Sequence, residues 1–236
     1  LMAYMSQADI VFYGGAAGGG KTDLLLGLCI TSQEHSIIFR REAVQLTGIE
    51  ERMTSILGTR KGYNSQDGVW RLPGNKVMEL GSVKEPGDWI KYQGRPHDAK
   101  LFDEICHFTE MQFRTLIGWL RMDNPNIRQR VVAAGNPPTT AEGEWVKRFW
   151  AAWLDPQHPN PAKPGELRWY VTNEKGEDQE PPPPHGHEHR PRPPERHELD
   201  GLPQADALER DLTCEHEADQ DEDCDGIGPA RGADEH

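Results

Sequence analysis

Short apolar runs alternate with stretches of helical spacing through the first two thirds of the chain. Ile10-Val11-Phe12-Tyr13 predicts a buried strand, and Thr22 to Ile30, with Leu24-Leu25-Leu26 inside it, predicts a helix. Ser36-Ile37-Ile38-Phe39-Arg40 is a second strand, followed by a helical stretch from Glu42 to Leu57 with an expected break at Gly48. Val69 to Leu72 and Lys76 to Leu80 flank Pro73-Gly74-Asn75, the pattern of a hairpin inserted into the series. Ala99 to Phe102 is the next strand. A helix from Glu110 to Arg121, a strand from Arg130 to Ala134 and a helix from Glu142 to Leu154 complete the pattern. Strands that alternate with helices imply crossover connections, so the expected class is α/β, with a mainly parallel sheet that binds ligands at its carboxyl edge.

Charge divides the chain of 236 residues. Through Asn173 there are 20 basic and 19 acidic residues; beyond it there are 6 and 20, which places the acidity of the whole chain, net −13, in the final segment. That segment has no Phe, Trp, Tyr, Val or Met and contains Pro181-Pro182-Pro183-Pro184, so it cannot bury enough apolar surface to offset the entropy of ordering. Two regions are expected: a nucleotide-binding α/β domain over 1–173 and a disordered Pro/His/Asp/Glu-rich tail over 174–236. Cys29, Cys106, Cys214 and Cys224 have no framework spacing and are read as free thiols. No apolar run approaches the ~18 residues that span a bilayer, and no leader pattern precedes the first strand, which predicts a soluble protein without a membrane partner.

Between the first strand and the first helix lies Gly15-Ala16-Ala17-Gly18-Gly19-Gly20-Lys21-Thr22, a complete G-x-x-x-x-G-K-[ST]. In that setting the motif cradles nucleotide phosphates. The backbone of Gly15, Gly18, Gly19 and Gly20 can approach phosphate oxygens closely, Lys21 brings a charge to the β- and γ-phosphates, and Thr22 offers a hydroxyl to Mg²⁺. ATP and Mg²⁺ are the cofactors this pattern calls for.

Hydrolysis further needs a carboxylate for the metal and a group that positions or deprotonates water. Lys100-Leu101-Phe102-Asp103-Glu104 supplies both at the end of an apolar strand: Asp103 as metal partner, Glu104 as general base. The competing reading is that the two carboxylates only favour the start of a following helix. Val131-Val132-Ala133-Ala134-Gly135-Asn136 is a buried strand that ends on a small polar residue. Where an additional strand separates the phosphate-loop strand from the Asp-Glu strand, such a residue reaches the γ-phosphate and senses hydrolysis. Asn136 is that candidate, against an ordinary Gly-Asn-Pro turn.

In order, the phosphate loop, Phe39-Arg40-Arg41, Tyr92-Gln93-Gly94-Arg95, Leu101-Phe102-Asp103-Glu104, His107-Phe108-Thr109 and Gly135-Asn136-Pro137 resemble the ATPase domain of a tailed-phage terminase large subunit, from about Asp9 to Val171. The resemblance implies a P-loop, RecA-like fold of the additional-strand class. It further implies a motor in the host bacterial cytoplasm that hydrolyses ATP to drive double-stranded viral DNA into a procapsid. The implied partners are a portal protein, a terminase small subunit and further copies of the chain in a homo-oligomeric ring. Arg95 resembles a finger offered to a neighbouring subunit's γ-phosphate, with a solvated loop arginine as the alternative; Arg40 and Arg41 are read either as phosphate contacts or as surface charge.

Many terminases carry an arginine inside the phosphate loop, where this chain has Ala16 and Ala17. The family's nuclease domain should follow the ATPase domain, but the tail offers no strands to fix its Asp219, Asp221, Glu222, Asp223 and Asp225, so nuclease activity is not expected. His185, His187 and His189 with Cys214 and Cys224 fit no standard zinc spacing. With the change in composition near Glu180, these features lead to the expectation of a terminase fragment, with a shift of reading frame as one origin and a natural extension as the other. Another RecA-like DNA-dependent ATPase, or a nucleotide-binding fragment that does not turn over, are the alternative functions.

Overall fold

The computed structural model describes residues 2–122, 124, 126–173 and 178–180. The tail expected from residue 174 lies almost wholly outside them, as do its acidic cluster, its histidines and Cys214 and Cys224. Among the described residues no helix is long and apolar enough to cross a membrane.

The helices are α1 (Met2–Met5), α2 (Lys21–Thr31), α3 (Leu46–Leu57), α4 (Glu110–Ile117), α5 (Trp145–Phe149) and α6 (Ala151–Leu154). The strands are β1 (Ile10–Gly14), β2 (His35–Arg40), β3 (Tyr63–Asn64), β4 (Val69–Leu72), β5 (Lys76–Ser82), β6 (Ala99–Asp103), β7 (Arg130–Gly135) and the small outlying pair β8 (Val171–Thr172) and β9 (Asp178–Gln179). The first seven form one sheet in the order β1-β7-β6-β2-β5-β4-β3. From β1 to β5 every neighbouring pair is parallel, and β4 and β3 extend the edge in antiparallel fashion.

Burial explains why the central strands read as continuous apolar runs. Successive side chains point to opposite faces, and both faces are covered. Ile38, Leu101, Val132 and Ala134 pack on one side with Leu25, Leu26 and Leu28 of α2 and Ile49 and Met53 of α3. Ile37, Phe39, Phe102, Val131 and Ala133 pack on the other with Phe113 and Leu116 of α4 and Trp145, Val146 and Trp150.

Three local expectations are corrected. Gly48 does not break its helix: a short 3-10 turn (Ala43–Gln45) leads into α3, which runs through Gly48 with open space where a Cβ would stand. The cost of an interior glycine, ~1 kcal/mol, is outweighed by burial of Ile49 and Met53 one turn of the helix apart. The helix from Glu110 stops at Ile117 rather than Arg121, where Gly118 follows. The last predicted helix is divided at Trp150 (φ −110, ψ 32), whose ring stacks on Phe12 of β1 at 4.8 Å. The hairpin forms as expected, and its second strand, β5, also pairs parallel with β2, which makes it a full member of the sheet. Beyond the break placed at Asn173, Asp178 is held by Arg114 at 2.5 Å and Glu180 by Arg168 at 2.7 Å.

Candidate functional site

Parallel register brings the carboxyl ends of the central strands level. Gly14 stands opposite Gly135, Asp103 opposite Ala134, and Phe39 opposite Phe102, so Arg40, Asp103, Asn136 and the loop after Gly14 converge at one edge of the sheet. β7, with Asn136 directly after it, lies between the loop strand β1 and the Asp-Glu strand β6. This is the additional-strand P-loop fold.

The P-loop wraps the start of α2. Gly18 (φ 78) and Gly20 (φ 67) take left-handed backbone conformations that a side chain would strain. Lys21 is buried, and its Nζ donates to the carbonyls of Ala16 at 2.6 Å and Gly15 at 3.2 Å, which folds the ammonium back under the loop. Thr22 Oγ1 donates to Asp103 Oδ2 at 3.0 Å. Asp103 is 1% exposed, and its other oxygen, Oδ1, is buried with no hydrogen-bond partner.

Glu104 follows with φ 56, ψ 56, a left-handed conformation uncommon outside glycine and one that costs of order 1 kcal/mol. That turn accompanies contact between its carboxylate and Asn136, whose Nδ2 lies 3.3 Å from both carboxylate oxygens. Chain packing keeps this corner tight: a Cβ on Gly135 would stand 3.1 Å from Ile105 Cγ2 and 3.3 Å from Ile105 N. Behind it Cys106 Sγ donates to the Asn136 carbonyl at 3.0 Å. Burial, with the nearby charge of Glu104, pushes this thiol up to about 11, so it stays protonated as a donor at neutral pH.

Ala17 to Asp23, Arg40, Gly48, Ile49, Arg52, Glu104 and Asn136 line an open cavity of about 460 Å³. Lys21, Thr22, Glu104 and Asn136 are thus brought to one space, with Asp103 directly beneath Thr22. Arg95 is not. On this chain it pairs with Glu79 at 2.9 Å, and its side chain is 45% exposed.

Two arginines also line the cavity, one of them already open to a phosphate-contact reading in the sequence and the other without any sequence signal. Arg40, open to two readings in the sequence, donates Nε at 3.0 Å and Nη2 at 2.6 Å to Asp103 Oδ2. Its signal is its position, one residue past Phe39, whose partner is Phe102; pairing β2 with β6 sets Arg40 beside Asp103. Arg52 of α3 forms a two-point pair with Asp23 at 2.7 and 2.8 Å, and this hydrogen bonding holds the Asp23 carboxyl below its ordinary range. No local sequence pattern signals that pair. Arg41, by contrast, is a clamp: it donates to Gln112 Oε1 at 2.7 Å and to the His107 carbonyl at 3.3 Å, away from the cavity.

Among solved structures, the large terminase from a thermophilic bacteriophage aligns with a TM-score of 0.43 and 15% identity, over 57% of this chain and 35% of its own. The same protein in complex with ADP aligns with a TM-score of 0.41 and 14% identity, over 57% and 36%. The HK97 bacteriophage large terminase aligns with a TM-score of 0.45 and 11% identity, over 66% and 34%. This chain spans about a third of the length of those proteins. No protein-family description matches the sequence, and no curated protein matches it.

Proposed function

We propose that the chain is an Mg²⁺-dependent ATPase, the motor domain of a terminase-type large subunit that moves double-stranded viral DNA into a procapsid. The observation that carries the ATPase reading is the hydrogen bond between Thr22 and Asp103, with Glu104 and Asn136 across the same cavity. The residues fit the implied cation: Asp103 presents a buried oxygen without a partner beside the Thr22 hydroxyl. Thr22 and Asp103 would hold Mg²⁺, which would supply positive charge against the negative charge that develops on the phosphates during transfer.

The chain's own groups divide the remaining work. Gly15, Gly18, Gly19 and Gly20 hold the phosphates by backbone contact, and Lys21 turns its ammonium from the loop carbonyls to phosphate oxygens. Glu104 orients the attacking water and accepts its proton at a carboxylate oxygen. Asn136 bridges Glu104 and the γ-phosphate, and so reports its departure through β7. Positive charge comes in cis from Arg40 and Arg52, in place of the arginine that the loop lacks at Ala16 and Ala17. Arg95 is offered in trans to a neighbouring subunit within a ring.

The motor assignment rests on the ordered motifs from the phosphate loop to Gly135-Asn136-Pro137, and so do its partners: portal protein, small subunit and further copies of this chain in the host bacterial cytoplasm. Phosphate release by the purified chain in ATP and Mg²⁺ is the test. Glu104→Gln is expected to lower the rate about 10²- to 10⁴-fold while ATP still binds; equal rates defeat the base assignment. Double-stranded DNA, with the small subunit and portal present, is expected to raise turnover, and a rate indifferent to all three removes the packaging role and leaves a generic ATPase.

A further inference from the structure

The amino ends of the parallel strands, opposite the P-loop, hold a second group of polar side chains. His35 opens β2, His97 lies just ahead of β6, and Glu79 reaches both from β5. His35 Nε2 is 2.8 Å from Glu79 Oε1, His97 Nε2 is 3.5 Å from Glu79 Oε2, and one ligand atom from each residue lies within 4.8 Å of the others. The imidazole rings are 4.7 Å apart between centroids.

His97 is the anomaly in this group. It is 0% exposed, and among the described residues Nδ1 has no hydrogen-bond partner while Nε2 has only the long 3.5 Å approach to Glu79. A polar group left in that state costs about 1–3 kcal/mol, so a native core does not keep one without a use. Arg95 Nη2 sits 2.9 Å from Glu79 Oε2, so a positive charge already stands against the carboxylate, on a side chain that remains 45% exposed. Glu79 is 10% and His35 27% exposed, which leaves a path from solvent to the cluster.

We propose that His35, Glu79 and His97 form a binding site for a first-row divalent transition metal, Zn²⁺ foremost, with Arg95 as the competing cation. Two imidazoles and one carboxylate are the donor set such ions take; a tetrahedral site with bonds of about 2.0–2.1 Å needs donor separations of about 3.3 Å, which one ligand atom from each residue, now within 4.8 Å of the others, reaches by closing on the ion. A bound metal gives the His97 nitrogen its missing partner and displaces Arg95 into solvent.

Zinc titration of the full chain against a chromophoric chelator tests the site, because the tail histidines bind alike in every variant. Wild type is expected to hold one equivalent more than His35→Gln and Glu79→Gln. Arg95→Ala is expected to bind that equivalent about tenfold more tightly, an effect that misfolding cannot mimic. The same stoichiometry and affinity in all four proteins, with zinc confined to other histidines, overturns the proposal. Crystals soaked in Zn²⁺ give a second reading: an anomalous peak between His35, Glu79 and His97 supports the site, and peaks confined to other positions refute it.

Discussion

Arg40 and Asp103 form a two-pronged pair at the floor of the P-loop cavity, with Nε 3.0 Å and Nη2 2.6 Å from a single carboxylate oxygen that also accepts from Thr22. Asp103 is 1% exposed, so truncation of Arg40 strands a buried charge. Removal of one partner from such a pair costs about 3 kcal/mol. Arg40→Ala is therefore expected to melt several degrees below wild type. Since Mg²⁺ replaces the lost positive charge, the metal should recover more stability in the variant than in wild type, as thermal melts with and without Mg²⁺ will measure. An identical Mg²⁺ response in both proteins would remove Asp103 from the metal's coordination.

Asn136 is assigned to hold Glu104, and the two predict different losses when replaced. Asn136→Ala frees the carboxylate from its 3.3 Å contacts without removing it. Turnover should fall about tenfold to a hundredfold, less than for Glu104→Gln, with little change in ATP affinity. The double variant should be no slower than Glu104→Gln alone, because groups that act as a unit do not add. Additive losses in single-turnover hydrolysis would make Asn136 an independent contact.

Much of this site was legible because the motifs sit at strand ends. Once β1, β6 and β7 are parallel, register alone brings Thr22, Asp103 and Asn136 to one edge. The order of the strands was left open by the local pattern, in which Gly135-Asn136-Pro137 reads equally as an ordinary turn; the pairing of β7 with both β1 and β6 decides it. Arg52 was not legible, because a pair 29 positions apart between two helices leaves no local pattern. Nor was the His35–Glu79–His97 group, whose members lie in different runs and meet only after β5 joins β2 in parallel, a pairing that a hairpin reading conceals. The division of the last helix at Trp150 likewise depends on a ring seated on Phe12, a tertiary contact that overrides helical periodicity.

Lys100 predicts an alkaline signature. It is fully buried in β6, its Nζ donates to the Leu116 carbonyl at 2.6 Å, and burial pushes it down to about 8 from an ordinary 10.5. Between those values the unfolded chain binds the proton that the folded chain has released, so this residue's contribution to stability rises with pH through that window and is least favourable below it. The rise amounts to about 3 kcal/mol. Denaturant melts at pH 8 and pH 10.5 will read it as the difference between wild type and Lys100→Met, which cancels the other groups that titrate there. A constant difference across the window would mean that Lys100 stays charged.

Thr109 caps α4 in a reciprocal arrangement: its Oγ1 accepts from Gln112 N at 3.2 Å, while Gln112 Oε1 accepts from Thr109 N at 3.1 Å. The same Oε1 takes Arg41 Nη1 at 2.7 Å, and Nε2 donates to the Val83 carbonyl at 2.9 Å. Thr109→Ala removes one cap bond and should cost about 1 kcal/mol. Gln112→Leu strands buried polar groups on several elements and should cost more, by the desolvation of each. Equal denaturation midpoints for the two variants would contradict this ranking.

Arg95 provides the sharpest test of ring action, because on its own chain it lies against Glu79 and outside the P-loop cavity. If it completes a neighbour's site, Arg95→Ala and Lys21→Ala are both nearly inactive, but for complementary reasons: the first keeps a sound P-loop, the second a sound finger. In a head-to-tail ring mixed at equal amounts, about a quarter of the interfaces set an intact Arg95 against an intact P-loop, so the mixture should recover a corresponding fraction of wild-type turnover. The recovery must appear only where subunits exchange, which dilution below the assembly concentration abolishes. A mixture no more active than its components would confine Arg95 to its pair with Glu79, and the γ-phosphate charge would then fall to Arg40 and Arg52 in cis.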